Sequence, residues 1–533
     1  MTANSNQVKS TFKHALIYSA SGMIGKAIGF IMLPVYAHYL RGEGYGIIGM
    51  IDVVLAVVTL LIGYGIQGAM SRFYFEKKEE LERRQLISTA IILMFLMVLL
   101  VSGPVLFFSE PIAMLAFGKE GMGYYIILAI LTFMATMTSK SAETYILIRQ
   151  KPFFYSVLSL VKLLFALSLN IYLIVYLQLG VLGYLYSGLI VAVVFSFVLH
   201  WYALSRVGLH FVKNDVVALL RFSLPLLPGY LAMFIRNNTD RVLLRTFLGL
   251  TQLGSFEMLF KFATLIGLLV VEPFSKIWGV KRFEIADNDD GPLVMARVYT
   301  LMLAVMLAVG LVLSVEIPVL LRILTPAEFW LSGAVVALAV LSRIILASYY
   351  HFFFGLLYAK KTHKISLVQI ATTFVSVLSC LLLVRPFGIL GAVLASCLSA
   401  GFQCVAAYKM AQPYYRIPFE WGRIVAVLGF AVIVFVLVES LGLIGARDFY
   451  LKIAGLVDGP VRHLMDLLRI DLIRNGKLYA YILNNIPLLV EGVARLVLCS
   501  LFLVGLVLSG VLPRRTLVNL VRRRSLRPVL NGG

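Results

Sequence analysis

The chain has 533 residues, of which 61% are hydrophobic and only 14% charged, and its mean hydropathy is +0.94. That is more apolar side chain than a soluble fold of this length can bury, so the composition excludes a soluble globular protein and predicts an all-α polytopic membrane protein. The formal charge of +21 does not point to nucleic acid, because the basic residues are scattered through short connections between apolar stretches, as in cytoplasmic loops.

With about 20 apolar residues to a span, some fourteen transmembrane helices are predicted, over residues 13–37, 46–70, 86–108, 124–147, 155–177, 181–204, 222–247, 253–275, 293–315, 333–357, 365–384, 388–410, 423–441 and 491–512. The first apolar run begins near Thr11 and continues past Pro34 to Tyr39 without a small-residue cleavage site. It reads as a retained first span rather than a signal peptide. If the N-terminus is cytoplasmic, the cytoplasmic connections hold basic residues such as Lys77, Lys78, Arg83, Arg84, Lys281, Arg282, Lys360, Lys361 and Lys364. The short external loops then hold only Arg41, Lys119, Arg322 and Arg385. This asymmetry predicts that both termini are cytoplasmic, with the basic tail at 513–533 on that side.

Two junctions recur at a separation of 208 residues: Gly180-Val-Leu-Gly183 returns as Gly388-Ile-Leu-Gly391, and the turn from Leu40 to Gly46 aligns with that from Leu248 to Gly254. A third, Ile146 to Lys151 with Leu356 to Lys361, is offset by 210. Each unit holds an even number of spans, so the two copies share an orientation and are related about the membrane normal. The expected organisation is a six-helix lobe over 1–206 and a second over 207–412, both facing a central cavity. Two extra C-terminal helices follow within 413–512. The external stretch between those two, 442–490, is long. It places Val461, Leu464, Leu468 and Leu472 on one helical face and Arg462, His463, Asp466 and Arg469 on others, a pattern suited to the outer membrane surface.

Charges inside the spans point to function. Each Arg or Asp at the centre of a spanning helix costs about 2.5 to 3.5 kcal/mol, so such residues face a water-filled path or a ligand. In span 7, Asn238, Arg241 and Arg245 fall in one stripe, while Arg236 and Asp240, four apart, form a pair on the other side. Span 8 carries Glu257 and Lys261 four apart, either a mutually neutralising pair or a lysine open to the cavity. In span 1, Lys26 stands beside the small-residue stripe Gly22, Gly25 and Gly29, where another helix or a ligand can approach closely. Lys140, Glu143, Lys162 and Arg343 complete a set in which buried cations outnumber acids. Asp52, Asp240 and Glu257 are candidates for ion coupling, although Asp52 could instead serve as a cap near the outer end of span 2.

Catalytic chemistry has no support: the chain has no H-E-x-x-H, no G-x-S-x-G, no Walker A sequence, and its four cysteines, Cys380, Cys397, Cys404 and Cys499, lack metal-ligand spacing. Neither a cofactor, a metal nor a catalytic residue is expected. A carrier with a positive cavity remains, suited to phosphate or carboxylate, which guanidinium groups bind in bidentate fashion.

The segments Ile24 to Leu40, Glu43-Gly-Tyr-Gly46, Gly63-Tyr-Gly65 and Ser71 to Glu76 resemble the polysaccharide transporter branch of the multidrug/oligosaccharidyl-lipid/polysaccharide exporter superfamily, the Wzx-type flippases related to the lipid II flippase. The resemblance implies that the protein moves an undecaprenyl-diphosphate-linked oligosaccharide, a precursor of cell-surface polysaccharide, from the inner to the outer leaflet of the bacterial cytoplasmic membrane by alternating access. It implies that Lys26, Arg72, Arg241, Arg245 and Lys261 line the cavity that receives the diphosphate. It also implies that the two C-terminal helices make a groove for the lipid tail, and that a polymerase or glycosyltransferase works alongside. Two other readings stay open: a drug antiporter of the same superfamily, and a membrane-embedded glycan polymerase or glycosyltransferase using His463, Asp466 and Asp471.

Overall fold

The computed structural model describes residues 29–30, 32–62, 65–443, 488, 491–500, 502 and 504–506, and these residues form helices with no strand among them. In chain order the elements are α1 (Leu33–Ile62), α2 (Gly65–Glu76), α3 (Glu80–Phe107), α4 (Ser109–Phe117), α5 (Gly123–Ile148), α6 (Pro152–Asn170), α7 (Gly180–Val207) and α8 (Lys213–Ser223). Then follow α9 (Leu227–Leu248), α10 (Leu250–Ala263), α11 (Glu272–Ala286), α12 (Gly291–Leu324), α13 (Gly333–Phe352), α14 (Phe354–Tyr358), α15 (Thr362–Ala411) and α16 (Trp421–Leu443). Among the described residues ten helical segments are long and apolar enough to cross a membrane, or eleven if α8 and α9, bent by 50°, make one broken span. Pro225 and Pro228 stand at that bend, next to a short 3₁₀ turn.

The difference from fourteen has identifiable sources. The 50 residues of α15 would measure about 75 Å as one straight helix, more than twice the thickness of a hydrocarbon core. The helix breaks at Gly388, with φ 58° and ψ −131°, between the two spans expected at 365–384 and 388–410. α1 likewise bends at Arg41, with φ 59°, which separates the end of the first expected span from the second. Most of span 13–37, part of span 491–512, nearly all of the stretch 442–490 and the tail 513–533 lie outside the described residues. Two helices were not anticipated. These are the short α4 and the amphipathic α8, both below span length.

Left-handed backbone recurs at the junctions that repeat in sequence. Arg41 and Gly249 have φ of 59° and 85° at a separation of 208, Gly180 and Gly388 have 55° and 58° at the same separation, and Gln150 and Lys360 have 51° and 56° at 210. For a residue with a Cβ this conformation costs roughly 1 to 2 kcal/mol, so its return at matching places reflects a requirement of the turn.

By its contacts the chain forms two compact units, Met1–Glu257 with Cys380–Ile389, and Met258–Ser379 with Leu390–Gly533. In the first, the helices that follow the Arg41 and Gly249 turns meet backbone to backbone. A Cβ added to Gly46 would strike the carbonyl oxygen of Leu250, and one added to Gly254 would strike the carbonyl oxygen of Gly42. Gly42 and Leu250, like Gly46 and Gly254, are 208 residues apart, so the contact is reciprocal. Small residues permit this close approach where lipid offers no hydrophobic drive between helices.

The same unit secures α8. Lys77 donates to both carboxylate oxygens of Asp215, at 2.7 and 3.0 Å, and Asp215 sits in the first turn of α8, where the helix dipole favours an anion. The Ser88 hydroxyl accepts from the His210 amide at 2.7 Å, and that of Thr89 from the Val212 amide at 3.0 Å. The segment leading into α8 is thus stitched to α3.

In the second unit an aromatic cluster ties α12, α13 and the stretch before α16 together, with Tyr299 5.3 Å from Phe419 and Phe352 5.0 Å from Phe419. Cys380, Cys404 and Cys499 are buried, all four cysteines are free, and the Cys404 thiol donates to the Ile345 carbonyl at 3.1 Å. They behave as small interior residues.

Gly46→Ala is expected to destabilise the protein by about 1–3 kcal/mol, seen as a melting temperature lowered by several degrees in detergent, whereas Gly68→Ala in α2, whose position is open, leaves it unchanged or slightly raised. For the Lys77–Asp215 pair, a double-mutant cycle with Lys77→Met and Asp215→Asn should give a coupling of about 1.5–3 kcal/mol. Independent effects would mean the pair does not hold α8.

Candidate functional site

The turn between α9 and α10 determines which charges meet. Arg241 lies eight residues before Gly249 and Glu257 eight residues after it, so at 1.5 Å per residue both stand about 12 Å from the turn. An antiparallel helix pair brings such residues level. The Arg241 Nε lies 2.5 Å from Glu257 Oε1, and Nη2 donates to Oε2 at 3.1 Å, a close ion pair with one hydrogen bond in it. The arginine side chain is 28% exposed and the glutamate 10%, so the acid is enclosed while the guanidinium keeps an open edge.

Gly49 makes room for this pair. It follows Arg41 by eight residues, as Glu257 follows Gly249, and a Cβ there would lie 3.0 Å from Glu257 Cγ. Asp240 turns back on its own helix, where Oδ1 accepts from the Arg241 amide at 2.8 Å. Asp240 and Asp52 both lie within electrostatic reach of the Arg241 guanidinium. The three acids proposed from sequence for ion coupling, Asp52, Asp240 and Glu257, therefore converge on one arginine. Asp52 is exposed, ten residues beyond the first residue after the Arg41 bend, and stands well inside the helix rather than at a capping position.

One expectation is corrected: Arg241 is not on an unpaired cationic face, because the α9–α10 turn delivers Glu257 to it. Spacing along one helix left Glu257 and Lys261 open as a neutralising pair or as a lysine open to the cavity, and the adjacent helix brings Arg241 to the same carboxylate. Asn238, expected in the same stripe, is buried and donates to the Phe234 carbonyl at 2.8 Å.

The other candidates are dispersed. Arg245 sits over the end of α4, donating from Nη2 to the Met114 carbonyl at 3.3 Å beside left-handed Gly118, where a helix C-terminus attracts a cation. Arg72 is exposed on α2, paired with Glu76 at 2.8 Å and 5.6 Å from the Phe222 ring centroid. Lys261 is exposed on α10 and belongs to the second unit. Lys26 lies outside the described residues. Lys140 pairs with Glu143 at 2.9 Å, and Glu143 also accepts from the Tyr155 hydroxyl. Arg343 lies 4.4 Å from the centroid of the Phe260 ring. Sequence reasoning did not single out Gly49 as part of the site. Its signal was present in the repeat, since Gly49 is 208 residues before Glu257.

No group of His, Cys, Asp and Glu among the described residues could hold a metal ion. The Arg241 cluster puts a guanidinium among carboxylates, groups that engage phosphate and carboxylate anions or protons.

Comparison with known proteins agrees with this arrangement at the level of the fold. The lipid II flippase MurJ in an inward closed conformation matches with a TM-score of 0.66 at 12% identity, over 92% of this chain and 100% of that one. An inward-facing multidrug resistance MATE family transporter of the MOP superfamily matches with a TM-score of 0.55 at 14% identity, over 75% of this chain and 97% of that one. The MATE transporter VcmN of Vibrio cholerae, in its bent form, gives 0.51 at 15% identity, over 78% and 98%. No curated protein sequence matches the chain. A family model described as polysaccharide biosynthesis protein matches residues 11–278, half of the chain. The fold is that of transporters of the MOP superfamily, and the chain belongs to the polysaccharide biosynthesis protein family.

Proposed function

We propose that this polytopic membrane protein is a flippase that carries an undecaprenyl-diphosphate-linked oligosaccharide, a precursor of cell-surface or exopolysaccharide, from the inner to the outer leaflet of the bacterial cytoplasmic membrane. Transport is by alternating access of two six-helix lobes, 1–206 and 207–412, related by the internal repeat. Fourteen spans place both termini in the cytoplasm, and the two helices of 413–512 serve the lipid tail. The observation that carries the reading is the close Arg241–Glu257 ion pair in otherwise apolar helices.

A diphosphate-sugar head group is prevented from entering hydrocarbon by its desolvation cost, while a polyprenyl tail is at home there. The carrier has to supply a fixed counter-charge and then let go of it. Glu257 neutralises Arg241 when no substrate is bound, which avoids leaving a bare cation inside the membrane. An arriving diphosphate replaces the carboxylate with oxygens of the same geometry. The displaced Glu257, beside Asp240, Asp52 and a dianionic head group, repels them unless it takes up a proton or a cation. Binding and ion uptake are coupled in this way. Lys26, Arg72 and Lys261 are assigned to the head-group path through the family resemblance, and Arg245 to its outer end. The glycan's assembly requires a polymerase or glycosyltransferase as a working partner.

One observation favours a second reading. Three carboxylates face Arg241, and such a surplus of acid suits the cationic substrates of a drug antiporter. The two readings predict opposite effects at Arg241.

The test is transfer of a defined undecaprenyl-diphosphate oligosaccharide across proteoliposomes, read by accessibility to an external glycan-modifying enzyme. Arg241→Ala is expected to lower transfer by at least about 10²-fold, corresponding to loss of one charge-assisted bidentate contact of roughly 3 kcal/mol, with the protein inserted and stable. Normal transfer by a stably inserted Arg241→Ala protein would sink the head-group role. Glu257→Gln is expected to keep transfer down a substrate gradient but to remove its dependence on an imposed pH or sodium gradient. If Glu257→Gln responds to those gradients like the wild type, coupling lies elsewhere. Drug resistance in cells overexpressing the protein, retained by Arg241→Ala, would favour the antiporter.

A further inference from the structure

A second buried arginine has no acid to answer it. Arg282, on α11 in the second unit, is 5% exposed, and among the described residues no carboxylate pairs with it or acts on it. Its guanidinium carbon lies 4.3 Å from the centroid of the Tyr350 ring, 5.3 Å from those of Phe283 and Phe354, and 5.7 Å from that of Phe353. Nη1 donates to the Tyr350 carbonyl at 3.2 Å, but Nε is buried without a partner. The side chain lines a small cleft with about 10 Å³ of free space, together with Trp278, Met295, Tyr350, His351 and Phe419.

Ring faces stabilise a cation, but by less than withdrawing a guanidinium from water costs even after relaxation. Burial accordingly weighs against the charged form of Arg282. A water molecule would satisfy the Nε hydrogen but would cancel no charge. The free space of the cleft holds one small ion or one water, and a sugar phosphate does not fit. Apart from Arg282 and His351 the lining is aromatic or apolar, with Met295 and Ile417 beside the rings, a surrounding that favours a weakly hydrated ion. His351 is committed on one side, with Nε2 3.0 Å from the Met302 sulfur.

We propose that this cleft is a binding site for a small monovalent anion of chloride size, with Arg282 Nε as its donor and the Arg282 charge as its counter-ion. The site is separate from Arg241, and it holds whether or not the protein is a flippase. Because the lining is apolar, bromide binds at least as well as chloride, and fluoride less well.

The experiment is thermal unfolding of the purified full-length protein in nanodiscs, titrated with sodium chloride, bromide or fluoride against sodium gluconate at constant ionic strength. The wild type is expected to gain a saturable 2–5 °C, about the shift of a ligand bound only by the folded state, in chloride and bromide but not in gluconate. Arg282→Met should abolish the anion-specific gain, while Arg322→Met, at an exposed arginine, should keep it. Should Arg282→Met fail to fold, anomalous diffraction from wild-type crystals grown in bromide decides. A bromide peak within hydrogen-bond distance of Nε supports the site. Equal melting in chloride and gluconate, or an ordered water at Nε with no bromide signal, overturns it.

Discussion

The arrangement of the first unit rests on a contact between bare backbones. Gly46 lies against the carbonyl of Leu250 and Gly254 against that of Gly42, with no side chain between them. Any residue larger than glycine would push the helices apart and change the depth at which every later side chain meets its neighbour. Three residues further along, the same approach leaves Gly49 opposite Glu257, and the vacancy at Gly49 is filled by the glutamate side chain. The charge site is thus a consequence of the glycine contact: Glu257 reaches Arg241 because helix α1 presents no bulk at that level.

Left-handed turns set the levels. Arg41 and Gly249 each end one helix and begin the next, and counting eight residues onward from each arrives at Gly49 and Glu257, while counting eight back from Gly249 arrives at Arg241. In a helical hairpin equal counts mean equal depth. A single inserted residue between Gly249 and Glu257 would rotate the carboxylate by about 100° and lift it by about 1.5 Å, breaking the pair. The turn and the ion pair therefore form one device.

Three arginines of the interior and its edges are answered in three ways. Arg241 is answered by carboxylates, Arg245 by the carbonyl end of a short helix, and Arg282 by aromatic faces and one carbonyl. These are solutions of different reversibility. A carboxylate can be exchanged for a phosphate and can take a proton, whereas a helix end cannot leave without unfolding. This is why the proposed transport site is centred on Arg241, with Arg245 at its outer end. Aromatic faces leave a formal charge without a counter-ion, and that residue of charge is the ground of the proposed anion site.

What the sequence by itself determined was the one-dimensional content: apolar runs of spanning length, a predominance of basic residues in the short connections, the recurrence of junctions about 208 residues apart, and the presence of Arg241 and Glu257 in otherwise apolar segments. Each is a property of local composition or of self-similarity along the chain, and membrane solvent makes both readable because every spanning backbone has to satisfy its own hydrogen bonds as helix. Pairing was not legible, because i to i+4 spacing speaks only for one helix face. It left Glu257 and Lys261 open between a pair and a free lysine, and left Arg241 without an acid. α4 and α8 also escaped notice, being too short or too polar to register as spans. Only the tertiary structure decided which charges met, since that depends on the angle of a turn and on how closely two backbones approach, and a Gly46 or a Gly49 carries no label in the sequence that names the helix it will touch.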